Sequence, residues 1–557
     1  MSNGTQTSTP PVPNEQAVGH QNLDPASTIR LSEVRTDWKF LLHALTGAIL
    51  AVVLVSCKVG PNYTTPMAKV AGHWTENLAL TNRAYGTAEI YWWRNFDDPV
   101  MDRLIESAYS NNLSLQVAGA RILETRAQLN RSIGNLFPQQ QGIAGQVLYT
   151  RLNPGLVSIL PGVNQNFVMD QFLFSATWEP DFWGKYRRGI ESDRANYFVT
   201  IADYDNALIT IISDVASSYV NIRTTEARLR VATQNVEIQK ESLRIASARY
   251  KAGETGERDV QQATTQLAQT EANIPQLKES LAQSQNGLAV LLGETPDRVS
   301  QYLTGPSRIP TAPETVAAGI PKDLLRRRPD VQAAGLAAAS KSALIGVARS
   351  QMYPSFSLTG QFGINGANQG SGSLSDIFNW QSRAINAAGS FFFPILNYGR
   401  LVNQVRVQDA QFQAAVLNYQ NTVLSAQQEV ENSLAFFTYA QQAASLLERA
   451  ATASRRSTAL AMTQYTGGQA DYTTVLTAEQ AQLGVEDSLV NTQGNVVLAL
   501  ISVYRALGGG WQLREGHDVI PEGVKAEMAR RTDWGKLLEP ARHLPGRAAT
   551  TTAKIEP

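Results

Sequence analysis

The chain matches itself at a constant offset. Gly184 pairs with Gly399, Lys185 with Arg400, Val215 with Val430, Tyr250 with Tyr465, Gly253 with Gly468, Val260 with Val475, Ala263 with Ala478, and Leu292-Gly293 with Leu507-Gly508, each 215 positions apart. Upstream the offset is 216, pairing Gln116 with Gln332, Ala118 with Ala334 and Pro138 with Pro354, so one residue of length separates the two blocks. Copies of ~200 residues are far longer than solenoid units. The chain is a duplicated half-protein, with halves near 97–293 and 321–508, and its fold must be something that one half does twice.

Each half carries a very long helical pattern. Ile201, Leu208, Val215, Ile222, Leu229, Val236, Leu243 and Tyr250 recur every seven residues, and neither proline nor glycine lies between Gly189 and Gly253. This predicts one helix over about 184–250 with a coiled-coil seam. At ~1.5 Å per residue it is a rod of ~100 Å. KAGETGE then interrupts with two glycines, and Val260, Leu267, Ile274, Leu281 and Leu288 resume the seven-residue spacing. So short a break implies an antiparallel hairpin; Pro275 in the return helix is expected to kink it or remove one backbone bond. The second half repeats the plan with a helix at about 399–465, the turn TGGQAD, and a return helix carrying Leu476, Leu483, Val490 and Val497. Its seam is weaker, because Ala444, Ala451 and Thr458 hold later seventh positions.

Between the helices the period changes to two. In 355–365 Phe356, Leu358, Gly360, Phe362 and Ile364 alternate with Ser355, Ser357, Thr359 and Gln361. In 172–181 Phe172, Phe174, Ala176 and Trp178 alternate with Ser175, Thr177 and Glu179. Ile385, Ala387, Gly389, Phe391 and Phe393 form a third strand pattern, and Ile143, Val147 and Tyr149 a weaker fourth. Pro138, Pro180, Pro354 and Pro394 mark the helix–strand junctions. Apolar-out, polar-in alternation with aromatics suits a transmembrane barrel. Four strands cannot close one, and an open edge is not tolerated in lipid, so several chains would have to contribute. Eight strands from two chains and twelve from three both satisfy this.

No catalytic or metal-binding pattern stands out. The five histidines fall in no HExxH or HxH spacing, and one cysteine permits neither an internal disulfide nor a CxxC site. The Gly-rich segment 365–373, NGANQGSGS, lacks a phosphate-loop lysine and reads as a loop. With 48 basic and 48 acidic residues there is no charge excess to call for nucleic acid. We expect no enzyme and no bound cofactor.

The one cysteine has a different use. Residues 40–55 are mostly apolar and follow Arg35 and Lys39. At ~1.5 Å per residue they span only ~24 Å, which suits a signal-peptide core better than a spanning helix. Leu54-Val55-Ser56 before Cys57 resembles the bacterial lipobox, so Cys57 is expected to be lipidated and to become the mature N-terminus. Several acyl chains give a stable anchor. In such lipoproteins Lys58 in place of Asp permits export to the outer membrane.

At Cys57-Lys58-Val59-Gly60-Pro61-Asn62-Tyr63, RRRPDVQAA (326–334), the Tyr250…Gly253 and Tyr465…Gly468 turns, and Ala506-Leu507-Gly508-Gly509, the sequence resembles the TolC-like outer-membrane efflux family, in particular its OprM/NodT lipoprotein branch. The resemblance implies a homotrimer whose strands complete a twelve-stranded β-barrel above an α-barrel of helical hairpins. It implies an exit duct for small toxic molecules, working with a periplasmic adaptor and an inner-membrane RND-type transporter, lipid-anchored in the outer membrane. The implied layout is a leader over 1–56, a lipidated extension over 57–96, repeats over 97–293 and 321–508, an equatorial linker over 294–320 and an equatorial tail over 509–557. In the family the hairpin ends form a periplasmic gate, and Asp259 and Tyr465 match two residues that hold it shut. Thr473, Thr474 and Thr477 stand where some relatives have carboxylates, and Ala470 where some have a latch arginine; Asp471 is an alternative acidic gate residue. Gly253 and Gly468 mark the turns that would meet the adaptor. Two other readings remain at this point: a type I secretion duct, and a structural periplasmic coiled-coil lipoprotein.

Overall fold

The computed structural model describes residues 58–76, 90–157, 164–313, 327–368 and 372–539, together with 162, 315–317 and 321–323. The leader and Cys57 lie outside the described residues. Two helices, α1 (Pro99–Asn111) and α2 (Leu113–Gly134), precede strands β1 (Gln140–Arg151) and β2 (Asn166–Trp178). The long helix α3 (Lys185–Lys251) and its return α4 (Glu257–Leu292) follow. The second half supplies α5 (Pro329–Ser350), β3 (Ser355–Ala367), β4 (Arg383–Phe392), α6 (Arg400–Thr466) and α7 (Tyr472–Ala506), and α8 (Glu522–Arg531) lies in the tail. Each long helix has 67 residues, and the two start 215 positions apart. Helix α4 runs unbroken through Pro275, so the proline's cost is the one hydrogen bond it cannot give to Glu271. The four junction prolines lie between the expected elements.

The strands form one antiparallel sheet in the order β1-β2-β3-β4. Its register puts Ile143, Phe174, Phe362 and Ile385 in one row across the sheet. They are 66, 46, 49 and 69 % exposed, so this apolar face has no partner among the described residues. The next row is Gly142, Ser175, Gln361 and Asn386, on the opposite, polar face. Strand limits differ from expectation in β2 and β3, and Phe393, expected in the last strand, lies just past the end of β4. Strand β2 begins at Asn166 and ends at Trp178, because its first half pairs with the end of β1 while Pro180 already belongs to the junction. Residues 365–367, read as part of a loop, continue β3 and pair with Met169–Gln171. A Cβ on Gly366 would lie 2.5 Å from Asp170 Oδ1, so glycine is there for close approach, not for looseness.

The core sits where α1, α2, α5 and the ends of α4 and α7 surround the first half of α3. Trp92, Trp93 and Phe96 are buried in it, with Trp92 stacked on Tyr504 at 5.4 Å. Val519 and Ile520 from the tail join them. Both terminal extensions are therefore part of this core. Helix α5 is long and apolar enough to cross a bilayer, yet it is packed between α3 and α6.

Beyond the core the seam departs from its heptad reading. Leu229 and Leu243 are half-buried and Tyr250 is exposed. The residues that α3 buries against α7 lie one position earlier, at Asn235 and Ser242, with Gln239 between them. Helix α3 contacts both its own return helix and α7 of the other hairpin, so two faces need partners and the apolar stripe serves only one.

The N-terminal strap is tied to the foot of the sheet. The Val59 N–H donates to Trp183 O at 3.1 Å, and a Cβ on Gly184 would lie 3.1 Å from Lys58 Cα. Arg188 is buried; it donates to Asn62 Oδ1 at 2.9 Å and to the Val59 and Gly60 carbonyls at 3.2 Å, and pairs with Glu191 at 2.8 Å. Gly60, at φ +97°, approaches Gly346 so closely that a Cβ would sit 2.5 Å from its Cα. Removing one partner of a buried ion pair costs about 3–5 kcal/mol. Arg188→Ala is therefore expected to release the strap, and limited proteolysis near residue 63 will read that as faster cleavage than in wild type.

Candidate functional site

The two hairpin turns share one geometry. The Glu254 N–H donates to Arg249 O and the Gly253 N–H to Tyr250 O; Gln469 and Gly468 do the same to Gln464 and Tyr465. This double bond closes a helix when the residue after its cap is left-handed. Gly253 and Gly468 meet that need, at φ +76° and +72°. The turns bring the ends of α3, α4, α6 and α7 together around Ala246, Ala263, Ala461, Tyr465, Tyr472 and Val475.

The sequence-predicted pair meets in this cluster. Tyr465 Oη donates to Asp259 Oδ2 at 3.3 Å, and both residues are buried. The bond joins the turn end of one hairpin to the first turn of the other. Arg249 lies over the Tyr465 ring at 4.7 Å, and Tyr472 meets it edge-on at 5.3 Å. Burial pushes the Tyr465 phenol up, and the Asp259 carboxylate adds to the rise, so the hydroxyl keeps its proton and remains a donor. Arg258 is 3.9 Å from Asp259. Duplication does not make the turns equal: Tyr465 is 1 % exposed and its counterpart Tyr250 is 45 % exposed.

The remaining predicted residues lie apart from this bond. Asp471 caps α7, accepting from the Thr474 N–H at 3.2 Å and its hydroxyl at 3.1 Å, so its carboxylate is committed to the helix end. Thr473 and Thr477 are exposed on the face of α7 opposite buried Tyr472, Val475 and Glu479, and the Thr477 hydroxyl bonds back to Thr473 O at 2.8 Å. Ala470 is half-buried in the turn.

Hydropathy gave no sign of the polar line between the hairpins. Asn235 donates to Glu486 at 3.0 Å, Ser242 bonds to Glu479, and Arg228 makes a two-pronged pair with Asp487 at 2.8 and 3.0 Å. Arg455 from α6 reaches Glu486 at 2.6 Å. Residues 228, 235 and 242 share the seven-residue spacing of the apolar seam, one position earlier, but a polar heptad alone does not tell a buried face from a solvated one.

This chain is similar along most of its length to known outer-membrane efflux components. It is 29 % identical over 472 residues to the solvent efflux pump outer membrane protein SrpC of Pseudomonas putida, covering 83 % of this chain and 97 % of that one. It is 27 % identical over 473 residues to the cation efflux system protein CusC of Escherichia coli, covering 83 % and 98 %. Among solved structures, the outer-membrane channel OprN superimposes with a TM-score of 0.75 at 30 % identity, covering 82 % of this chain and all of that one. The outer membrane efflux protein family matches residues 104–294 and 320–509, which fall on the two sequence repeats. This chain, with its duplicated hairpins and its four-stranded sheet, belongs to the outer membrane efflux protein family.

Proposed function

We propose that three copies of this chain form the exit duct of a tripartite efflux pump. An RND-type transporter in the inner membrane supplies the energy, a periplasmic adaptor meets the hairpin turns at Gly253 and Gly468, and the duct itself performs no catalysis. The carrying observation is the sheet: one apolar exposed face, one polar face, and free edges at β1 and β4. Three sheets closed edge to edge would bury every edge, turn the apolar rows to lipid and line a lumen with Ser, Gln and Asn. A structural coiled-coil lipoprotein would have no use for such a sheet. Nothing in the lumen-facing row favours a folded protein over small solutes as cargo, and the similarity to solvent and cation efflux components supports small toxic molecules.

The Tyr465–Asp259 bond is the latch of the closed state in this reading. Thr473 and Thr477 then line its mouth in place of carboxylates, so the mouth carries no fixed charge from these positions. Reversal potentials across a salt gradient should show weak ion preference in wild type and a clear shift toward cations in Thr477→Asp; an equal preference in both proteins contradicts this placement.

Cys57 carries the lipid in this reading. Its neighbour Lys58 sits against Gly184, a short way past the end of β2, which supports an anchor on the sheet's side of the chain. Cys57→Ala should lose label from an alkyne palmitate analogue and keep its leader. Equal labelling of mutant and wild type would sink the assignment.

A further inference from the structure

Glu479 is 1 % exposed, in the second turn of α7, where that helix packs on α3 of the other hairpin. Its Oε1 bonds to the Ser242 hydroxyl, and its Oε2 has no partner. Ser242 Oγ also lies 3.1 Å from Ile238 O. A hydroxyl has one hydrogen and here faces two acceptors. A neutral carboxyl would resolve the count: with Glu479 donating to Ser242, the Ser242 hydroxyl could donate to Ile238 O. Beside them Gln239, 1 % exposed, has neither amide atom bonded.

Among the described residues no cation pairs with the Glu479 carboxylate. On α3 its partner is Ser242, while Arg228 is held by Asp487 and Arg249 pairs with Glu254 and lies over the Tyr465 ring. On α6 Arg455 is bound to Glu486, and Tyr465 meets Tyr472 edge-on. On α7 itself Tyr472 interacts with Glu479 while Gln482 donates to Glu486, and Asp259 of α4 interacts with Tyr472. Burial pushes Glu479 up from its ordinary value, only partly offset by the Ser242 bond. Tyr472 is also pushed up, by burial first and then by the Glu479 charge, so it offers no compensation.

We propose that Glu479 is a proton-operated tie between the two hairpins: neutral, it holds α7 to α3 through Ser242, and on losing its proton it admits water and lets the hairpins part. The tie rests on the gated-duct reading and adds a second control to it, separate from the Tyr465–Asp259 latch. The sign follows from linkage. In a parted interface a hydrated Glu479 would titrate at the ordinary glutamate value. The packed interface holds the proton to higher pH. Its advantage is therefore complete below that value and shrinks as pH rises above it, by about tenfold per pH unit in each subunit, until the packed group itself ionises. The tie is strongest in acid.

Infrared difference spectra of the full-length protein in nanodiscs test this. Wild type minus Glu479→Gln, near neutral pH, should show the C=O stretch of a buried neutral carboxyl, which fades as the buffer is made alkaline. Ser242→Ala should shift that band upward by removing its hydrogen-bond partner, which keeps the assignment open if the glutamine variant does not fold. In planar bilayers wild-type opening should become more frequent from mildly acidic to mildly alkaline buffer, and Glu479→Gln should stay flat. Absence of the band, or the same pH slope in the variant, overturns the tie. A protein that shows the titrating band yet conducts nothing, even with the latch removed, overturns the duct reading instead.

Discussion

Asp259→Ala combined with Tyr465→Phe should open the duct. A hydrogen bond to a charged group contributes about 1.5–3 kcal/mol. At 3.3 Å this one is long for a hydroxyl donor, which places it at the low end. Three copies at about 1.5 kcal/mol make roughly 4–5 kcal/mol, or about a thousandfold in the ratio of closed to open states. Tyr465→Phe keeps the ring, its edge contact with Tyr472 and its cover by Arg249, and so isolates the hydroxyl. The alternative role for Asp259 is favourable interaction with the N-terminus of α4. That role predicts no effect of Tyr465→Phe alone, whereas a latch predicts measurable opening from the single change and more from the pair. Single-channel conductance and uptake of large antibiotics such as vancomycin, at matched abundance, are the readouts. Wild-type values in the double variant would remove the latch from the account.

Phe362→Arg should prevent assembly in the membrane. Phe362 lies in the middle of β3, in the exposed apolar row with Ile143, Phe174 and Ile385. An arginine facing lipid near the midplane of a barrel costs about 2–4 kcal/mol, paid three times in a trimer. The adjacent Gln361 faces the polar side, so Gln361→Arg should be tolerated and change ion preference instead. Membrane fractionation followed by mild-detergent gel analysis distinguishes them: loss of membrane-integrated trimer for Phe362→Arg only. Equal tolerance of both changes would mean that the two faces are not lipid and lumen.

Much of this architecture was legible in the sequence. The 215-residue offset returns as two helices that start exactly one offset apart, and glycines at both turns hold the positive φ that the hairpins need. Strand β3 was clear because its alternation is strict. Strand β2 was half visible, because Asp170 interrupts the apolar row before Phe172, and only pairing with β1 and β3 identifies residues 166–171 as strand. The polar line was hidden for a different reason. Asn235, Gln239 and Ser242 have the composition of a solvated face, and burial by a helix from the other repeat is a tertiary fact that local period does not encode. The same limit applies to Tyr250 and Tyr465: they hold equivalent positions in the repeat, and only packing against Asp259, Arg249 and Tyr472 makes one of them buried.

The central claim is that three chains share one lumen. Single-particle imaging of the full-length protein in nanodiscs tests it most directly. The account predicts a threefold particle in which β4 of each chain pairs with β1 of the next, twelve strands close around one polar lumen, and the hairpin turns converge at the far end. A particle in which the sheets remain separate, or close in another number around no shared lumen, would contradict it.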